Sequence, residues 1–62
     1  MSFIDYLTEL RMKEAKKLIS EGRMKVRDVG AAVGYPNTKY FIRLFKKATG
    51  ETPTQYRDHN LR

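Results

Sequence analysis

The chain has 62 residues, a net charge of +6 and no cysteine, which limits it to one small domain braced by neither disulfides nor a thiolate metal site. No apolar run is long enough for a membrane span, and the regular spacing of the large apolar residues is unlike a disordered tail. Residues 1–20 carry four Lys or Arg against three acids, whereas residues 21–62 carry nine against four. A basic half indicates either a polyanionic partner, most often nucleic acid, or merely a soluble surface, and charge alone does not separate the two.

Hydrophobic spacing and capping residues predict an all-α fold of four helices, of which the first is long. The sequence contains no strand-like alternation, internal repeat, linker or low-complexity tract. The predicted helices span 3–20, 26–33, 38–49 and 53–58, in a single domain over 1–62.

The first helix can begin after a Ser2 cap and end at Gly22. Apolar residues form one arc along it, and Arg11 lies near the centre of that arc. A buried cation is costly unless it is paired, so we predict a structural ion pair between Arg11 and an acid such as Asp28, with a DNA contact as the alternative. The predicted arc consists of Phe3, Ile4, Leu7, Leu10, Ala15, Leu18 and Ile19.

The second helix and the break after it contain the residues that a helix-turn-helix requires. Such a motif needs a small residue where its two helices cross and a residue tolerant of positive φ in the turn, and Gly30 and Gly34 supply both. Lys25 and Arg27 flank the start of this helix, where cations oppose the helix dipole unless a phosphate neutralises them. Solvated surface cations are an equally good interpretation of these two residues.

The third helix, which Asn37 can cap, divides into an aromatic side and a cationic side. At about 100° per residue, its cationic half holds no acid, whereas a helix that needed only solubility would mix charges. This difference favours a helix that lies against phosphate. The predicted core side comprises Tyr40, Phe41, Leu44, Phe45 and Ala48, and the opposite side Thr38, Lys39, Ile42, Arg43, Lys46 and Lys47.

The fourth helix has a clear start, since Thr52-Pro53-Thr54-Gln55 combines a capping box with proline at the first helical position. Residues 59–62 are expected to fray. They include His59, the single histidine of the chain. Because the sequence also lacks cysteine and a pair of carboxylates placed to converge, we expect no enzyme, no metal site and no cofactor.

If the helix-turn-helix prediction holds, the third helix inserts its N-terminal part into the DNA major groove. Arg and Lys can donate to guanine, while Asn and Thr suit adenine edges or phosphates. Ile42 is either a harmless exposed aliphatic or a contact for a thymine methyl, and Asn37 is first of all a cap. The predicted base contacts are Thr38, Lys39, Ile42 and Arg43, and the predicted backbone contacts are Lys25, Arg27, Asn37, Lys46 and Lys47.

Two stretches resemble the DNA-binding domain of the AraC/XylS family of bacterial transcription regulators. Residues 33–57, reading V-G-Y-P-N-T-K-Y-F-I-R-L-F-K-K-A-T-G-E-T-P-T-Q-Y-R, resemble the family signature, and residues 3–19 resemble its linker helix. The resemblance implies two homeodomain-like helix-turn-helix halves joined by a long helix, with this chain holding the joining helix and the C-terminal half. Pro36 and Ile42 depart from the family pattern, which bears on base preference and leaves the predicted fold unchanged.

The resemblance also implies roles and partners. Family regulators usually add an N-terminal helix-turn-helix half and a sensing, dimerisation or receiver domain, so these and double-stranded DNA are the expected partners. The implied function is sequence-specific DNA binding in the cytoplasm, with no membrane partner. Carried over by position, the groove-facing residues are Thr38, Lys39 and Arg43, the buried aromatics are Phe41 and Phe45, and the closing helix contributes Pro53 and Tyr56.

Other binding functions stay open at this stage. A helical module that binds an acidic protein partner would use the same cationic side. A salt titration distinguishes the functions, because DNA binding should weaken steeply as salt rises, whereas a mainly apolar protein contact should change little. RNA modules usually expose aromatics for base stacking, and only Tyr35 in the turn is placed to do so here. A membrane surface is disfavoured because the apolar side of the third helix is needed for the core.

Overall fold

The computed structural model describes residues 2–60, which form four helices and no strand. The predicted all-α fold class is confirmed. The observed ends differ from the predicted ones by at most two residues, and the largest difference is at the end of the fourth helix. The helices are α1 (Phe3–Glu21), α2 (Val26–Ala32), α3 (Thr38–Thr49) and α4 (Pro53–Asn60).

Side-chain caps fix where three of these helices begin. Ser2 Oγ accepts a hydrogen bond from the backbone N–H three residues on at 3.1 Å, and Asn37 Oδ1 does the same at 3.0 Å. Thr52 Oγ1 accepts from the Gln55 N–H at 3.2 Å, and Gln55 Oε1 accepts from the Thr52 N–H at 3.0 Å. Because each cap pairs donors that the helix itself leaves free, the start of a helix can be predicted locally.

The end of α4 is held by two contacts that the sequence did not predict. The His59 imidazole meets the Glu51 carboxylate through Nδ1 and Oε1. The side-chain amide of Asn60 donates to the Tyr56 carbonyl at 2.8 Å. The structure therefore continues α4 through Asn60, two residues beyond the predicted end. The predictions for Leu61, Arg62 and the Ile4 side chain lie outside the described residues.

The core is built around two phenylalanines of α3. Phe41 and Phe45 are 0% exposed, and their ring centroids lie 5.9 Å apart. The Tyr56 ring of α4 meets Phe45 edge-on at 5.5 Å. Burying a phenylalanine contributes roughly 1.5–3 kcal/mol and an aromatic pair about 0.5–1.5 kcal/mol more, so these rings hold α3 firmly against its neighbours. The other helices add Met12, Ala15, Ile19, Val29 and Val33 to this core.

The apolar arc predicted for α1 is correct only in the C-terminal half of the helix. Ala15 and Ile19 are buried as predicted, whereas Phe3 and Leu10 are 77% and 46% exposed. Met12, which the predicted arc omitted, is buried. Since the buried residues described on α1 all lie between 12 and 19, its N-terminal half extends past the core. The exposed apolar face of α1 consists of Phe3, Tyr6 and Leu10.

The turn between α2 and α3 depends on the two predicted glycines. A Cβ at Gly30 would lie 2.9 Å from the Phe41 ring and 3.0 Å from the Tyr35 carbonyl oxygen, so no larger residue fits without movement. Gly34 has a φ of +102°, which L side chains rarely adopt. The Tyr35 N–H donates to the Gly30 carbonyl at 2.7 Å and closes the turn. Both predicted glycine roles are confirmed, and α2 and α3 form a helix-turn-helix.

Candidate nucleic-acid interface

The two buried rings of α3 define which side of the helix faces away from the protein. With Thr38 set at 0° and each residue turned by about 100°, Phe41 and Phe45 average about 320°, so the opposite direction is about 140°. Arg43 lies at that angle, and Lys39 and Lys47 lie about 40° to either side of it. All three are exposed. We call this the outward face of α3, with Arg43 at its centre.

The four predicted base-contacting residues separate into two pairs. Lys39 and Arg43 are exposed on the outward face. Thr38 and Ile42 are half-buried and lie about 140° and about 100° from Arg43, toward the core side of the helix. Ile42 is therefore not the freely exposed aliphatic that one interpretation expected, because protein already covers part of it.

The predicted backbone-contacting residues are all exposed, but they differ in what else they do. Asn37 uses its side-chain oxygen to cap α3. Arg27 Nε lies 3.8 Å from Asp28 Oδ1 in a pair whose side chains are 70% and 53% exposed, and such surface pairs contribute little. Lys46 and Lys47 occupy the last turn of α3, where positive charge also suits the helix dipole.

The cationic side chains of α3 are not neutralised by acids of the described part of the chain. Ion pairs within residues 2–60 join Arg27 to Asp28, Arg57 to Asp58 and His59 to Glu51, and none involves a cation of α3. Lys47 lines a shallow groove with Asp5 and Glu9 of α1 but forms no ion pair with either. An unpaired cationic surface on a small domain suits a polyanion.

Tyr40 is the functional candidate that the sequence pattern misplaced. It was predicted to lie in the core, but it is 52% exposed and about 60° from Arg43 on the outward face. Ala48, also predicted to be buried, is exposed. The prediction took the whole aromatic half of the helix as the core side. A core side centred on Phe41 and Phe45, which are four residues apart, leaves Tyr40 outside it.

The predicted ion pair of Arg11 is wrong. Its guanidinium carbon lies 5.3 Å from the Tyr35 ring centroid, and a Cβ at Gly34 would lie 3.3 Å from that carbon. Asp28, the suggested partner, pairs with the neighbouring Arg27 instead. Arg11 is half-buried and contacts an aromatic face, an interaction worth about 0.5–2 kcal/mol, so α1 is tied to the turn that precedes α3.

Two further properties describe residues 2–60 as a whole. Across that range, no helix is both long and apolar enough to cross a membrane. The same residues bring together no group of three or more side chains suited to hold a metal ion.

Comparison with known proteins decides the family. A family described as a helix-turn-helix domain matches residues 1–59. The chain belongs to the AraC-type helix-turn-helix family. The domain is thus of the DNA-binding kind found in transcription regulators, as the resemblance implied. No solved structure matches the chain significantly.

Three relatives illustrate the match. The bifunctional transcriptional activator and DNA repair enzyme AdaA of Bacillus subtilis is 37% identical over 57 residues, which cover 92% of this chain and 27% of AdaA. The arabinose operon regulatory protein of Escherichia coli is 39% identical over 57 residues, covering 92% of this chain and 20% of the relative. The transcriptional activator RhaR of Yersinia pseudotuberculosis is 32% identical over 62 residues, covering 100% of this chain and 21% of RhaR. The chain spans only about a fifth to a quarter of these relatives.

Proposed function

We propose that this chain binds double-stranded DNA in a sequence-specific way, as the C-terminal helix-turn-helix half of a bacterial AraC-type transcription regulator, with α3 in the major groove. The observation that carries the proposal is the outward face of α3, where exposed cations that pair with no acid of residues 2–60 surround Arg43. Family membership supports the same function.

The width of the groove divides the proposed contacts into two classes. The major groove is about 12 Å wide and a helix with its side chains about 10–12 Å across, so central residues reach base edges and flanking residues meet phosphates. Arg43 and Lys39 are the proposed donors to guanine O6 and N7. Thr38 and Ile42 lie outside this central arc and are half-buried, so they are proposed as base contacts on a different ground, namely that the N-terminal residues of a recognition helix contact base edges. The proposed phosphate contacts are Lys25, Arg27, Asn37, Lys46 and Lys47, which would position the helix.

Selection of bound duplexes from a random pool tests the proposal, followed by titration of the selected and a scrambled duplex at several salt concentrations. We expect an enriched sequence and an affinity that falls steeply with salt, since each neutralised phosphate releases counterions. On its own, this half is expected to bind little more tightly than the non-specific level of about 10⁻⁴–10⁻⁶ M, so the selection uses the longest natural chain that contains it. Weak binding with no enriched sequence would favour the alternative function, a helical module for an acidic protein partner.

We propose that the natural protein is longer and adds an N-terminal helix-turn-helix half with a sensing, dimerisation or receiver domain, working in the cytoplasm. The length of the relatives supports this, since the matched region is 20–27% of each named one. The exposed apolar face of α1 is a surface available to such a neighbour. A longer natural chain should discriminate between the two duplexes better than the 62-residue chain does.

The proposal assigns no catalytic role and no cofactor to this chain. Most of the named relatives are transcription regulators, although AdaA is also named as a DNA repair enzyme. His59, the single histidine, is engaged with Glu51 at the end of α4.

A further inference from the structure

We propose that Tyr40 is an additional DNA contact, whose phenol hydroxyl donates a hydrogen bond to a phosphate oxygen at the edge of the major groove. The inference rests on the proposed placement of α3 and adds a neutral donor to a surface described so far only by its cations.

The position of Tyr40 supports contact with the edge of the groove rather than its floor. The residue is 52% exposed and lies about 60° from Arg43, beyond Lys47 on the same side of the outward face. A side chain so far from the centre of an inserted helix points toward the strand that borders the groove, where phosphate oxygens are the available acceptors. Tyrosine is among the side chains that commonly donate to these oxygens.

The ring of Tyr40 packs on one side against another aromatic ring of the protein. Its centroid lies 5.9 Å from that of Tyr35, with the ring planes tilted by 57°. Tyr35 in turn stacks on the buried Phe41 at 6.4 Å and has the Arg11 guanidinium 5.3 Å from its ring centroid. A side chain already restricted by such neighbours loses less conformational freedom on binding, which favours its use as a contact.

The hydroxyl of Tyr40 is free for a new partner. No hydrogen bond within residues 2–60 uses it. The backbone of the same residue is fixed, because its N–H donates to the Asn37 cap at 3.0 Å. Tyr40 therefore combines an anchored main chain, a braced ring and an unused donor on the surface proposed to meet DNA.

The test is Tyr40→Phe in the 62-residue chain, which keeps the ring and removes only the hydroxyl. We expect affinity for the selected and the scrambled duplex to fall by the same factor, roughly tenfold, because hydrogen bonds to charged groups are worth at least about that much. The slope of affinity against salt should not change, since a phenol releases no counterion. The melting temperature should stay the same, since the ring contacts with Tyr35 remain.

Tyr6→Phe is the matched control, because Tyr6 is 54% exposed on α1 and lies outside the outward face of α3. Its affinity for both duplexes should equal that of the unmodified chain. Unchanged binding by Tyr40→Phe would overturn the inference and leave the proposed function standing. A loss confined to the selected duplex would also overturn it, since that result describes a base contact. If the unmodified chain bound neither duplex, the proposed function itself would fail.

Discussion

Helices α1 and α3 are both amphipathic and both carry lysines and arginines, yet their surfaces differ in kind. On α1 the cations are interspersed with Asp5, Glu9, Glu14 and Glu21, and apolar side chains remain exposed at its N-terminal half. On α3 no acid interrupts the cations, and two rings are completely buried behind them. Charge composition, rather than the presence of an apolar stripe, therefore distinguishes the proposed DNA-binding helix from the helix that supports it.

Truncating a buried ring of α3 should have the largest effect, and that effect should be on the stability of the domain. Phe45→Ala removes a completely buried side chain that contacts Phe41 and Tyr56, and such truncations cost about 3–5 kcal/mol. In a domain this small, we expect loss of the cooperative thermal transition followed by circular dichroism. Phe3→Ala, at a 77% exposed position of α1, is the control and should melt close to the unmodified chain. A cooperative melt of Phe45→Ala near the original temperature would contradict the assigned core.

The crossing of α2 and α3 gives the next largest expected effect. Gly30→Ala places a Cβ 2.9 Å from the enclosed Phe41 ring, and overpacking of this kind costs about 1–3 kcal/mol. Alanine's better helix propensity offsets about 0.5–1 kcal/mol of that cost. We expect a lower midpoint in urea unfolding. Ala31→Gly, at an exposed position of the same helix, should show only the propensity cost. A Gly30→Ala variant more stable than the unmodified chain would mean that the helices do not cross so closely.

Arg43 tests the centre of the outward face. Arg43→Ala should reduce discrimination between the selected and scrambled duplexes by about 1–3 kcal/mol, the value of a good base contact, in fluorescence anisotropy titrations. Its exposure on the side opposite Phe41 and Phe45 predicts little change in stability. Equal losses of affinity on both duplexes would show that Arg43 contacts phosphate and reads no base.

Lys47→Ala should give the smallest effect, because a phosphate contact supplies affinity but reads no base. Lys47→Ala is expected to weaken binding to both duplexes alike. It should lower the slope of log affinity against log salt concentration by at most about one unit. Lys17→Ala, at an exposed lysine of α1, is the matched control and should leave the slope unchanged. If the Lys17 variant lost as much affinity as the Lys47 variant, the DNA-binding surface would extend onto α1.

Features set by neighbouring residues could be predicted from the sequence, and features set by distant ones could not. The caps at Asn37 and Thr52 depend on groups three residues away, and Gly34 depends on the positive φ that the turn requires. The partner of Arg11 is Tyr35, which lies on a different element of the chain. Periodicity indicates an apolar stripe but not how much of it another helix covers.

The same limit explains the errors along α1 and α3. Phe3 and Leu10 fit the helical period of α1, yet the core ends before it reaches them. Tyr40 fits an aromatic half of α3, yet it is 52% exposed while Phe41 and Phe45 are 0% exposed. In the candidate site, Lys39 and Arg43 are exposed as predicted, whereas the half-burial of Thr38 and Ile42 depends on packing that no local pattern encodes.

Backbone amide chemical shifts, recorded by NMR while the selected duplex is added to the 62-residue chain, compare the two helices in one experiment. We predict that the large shifts fall on α3 around Lys39, Arg43 and Lys47 and on the turn at Tyr35, with the N-terminal half of α1 nearly unchanged. Shifts concentrated on the exposed apolar face of α1, or spread evenly over all four helices, would contradict the proposal that α3 carries the DNA-binding surface.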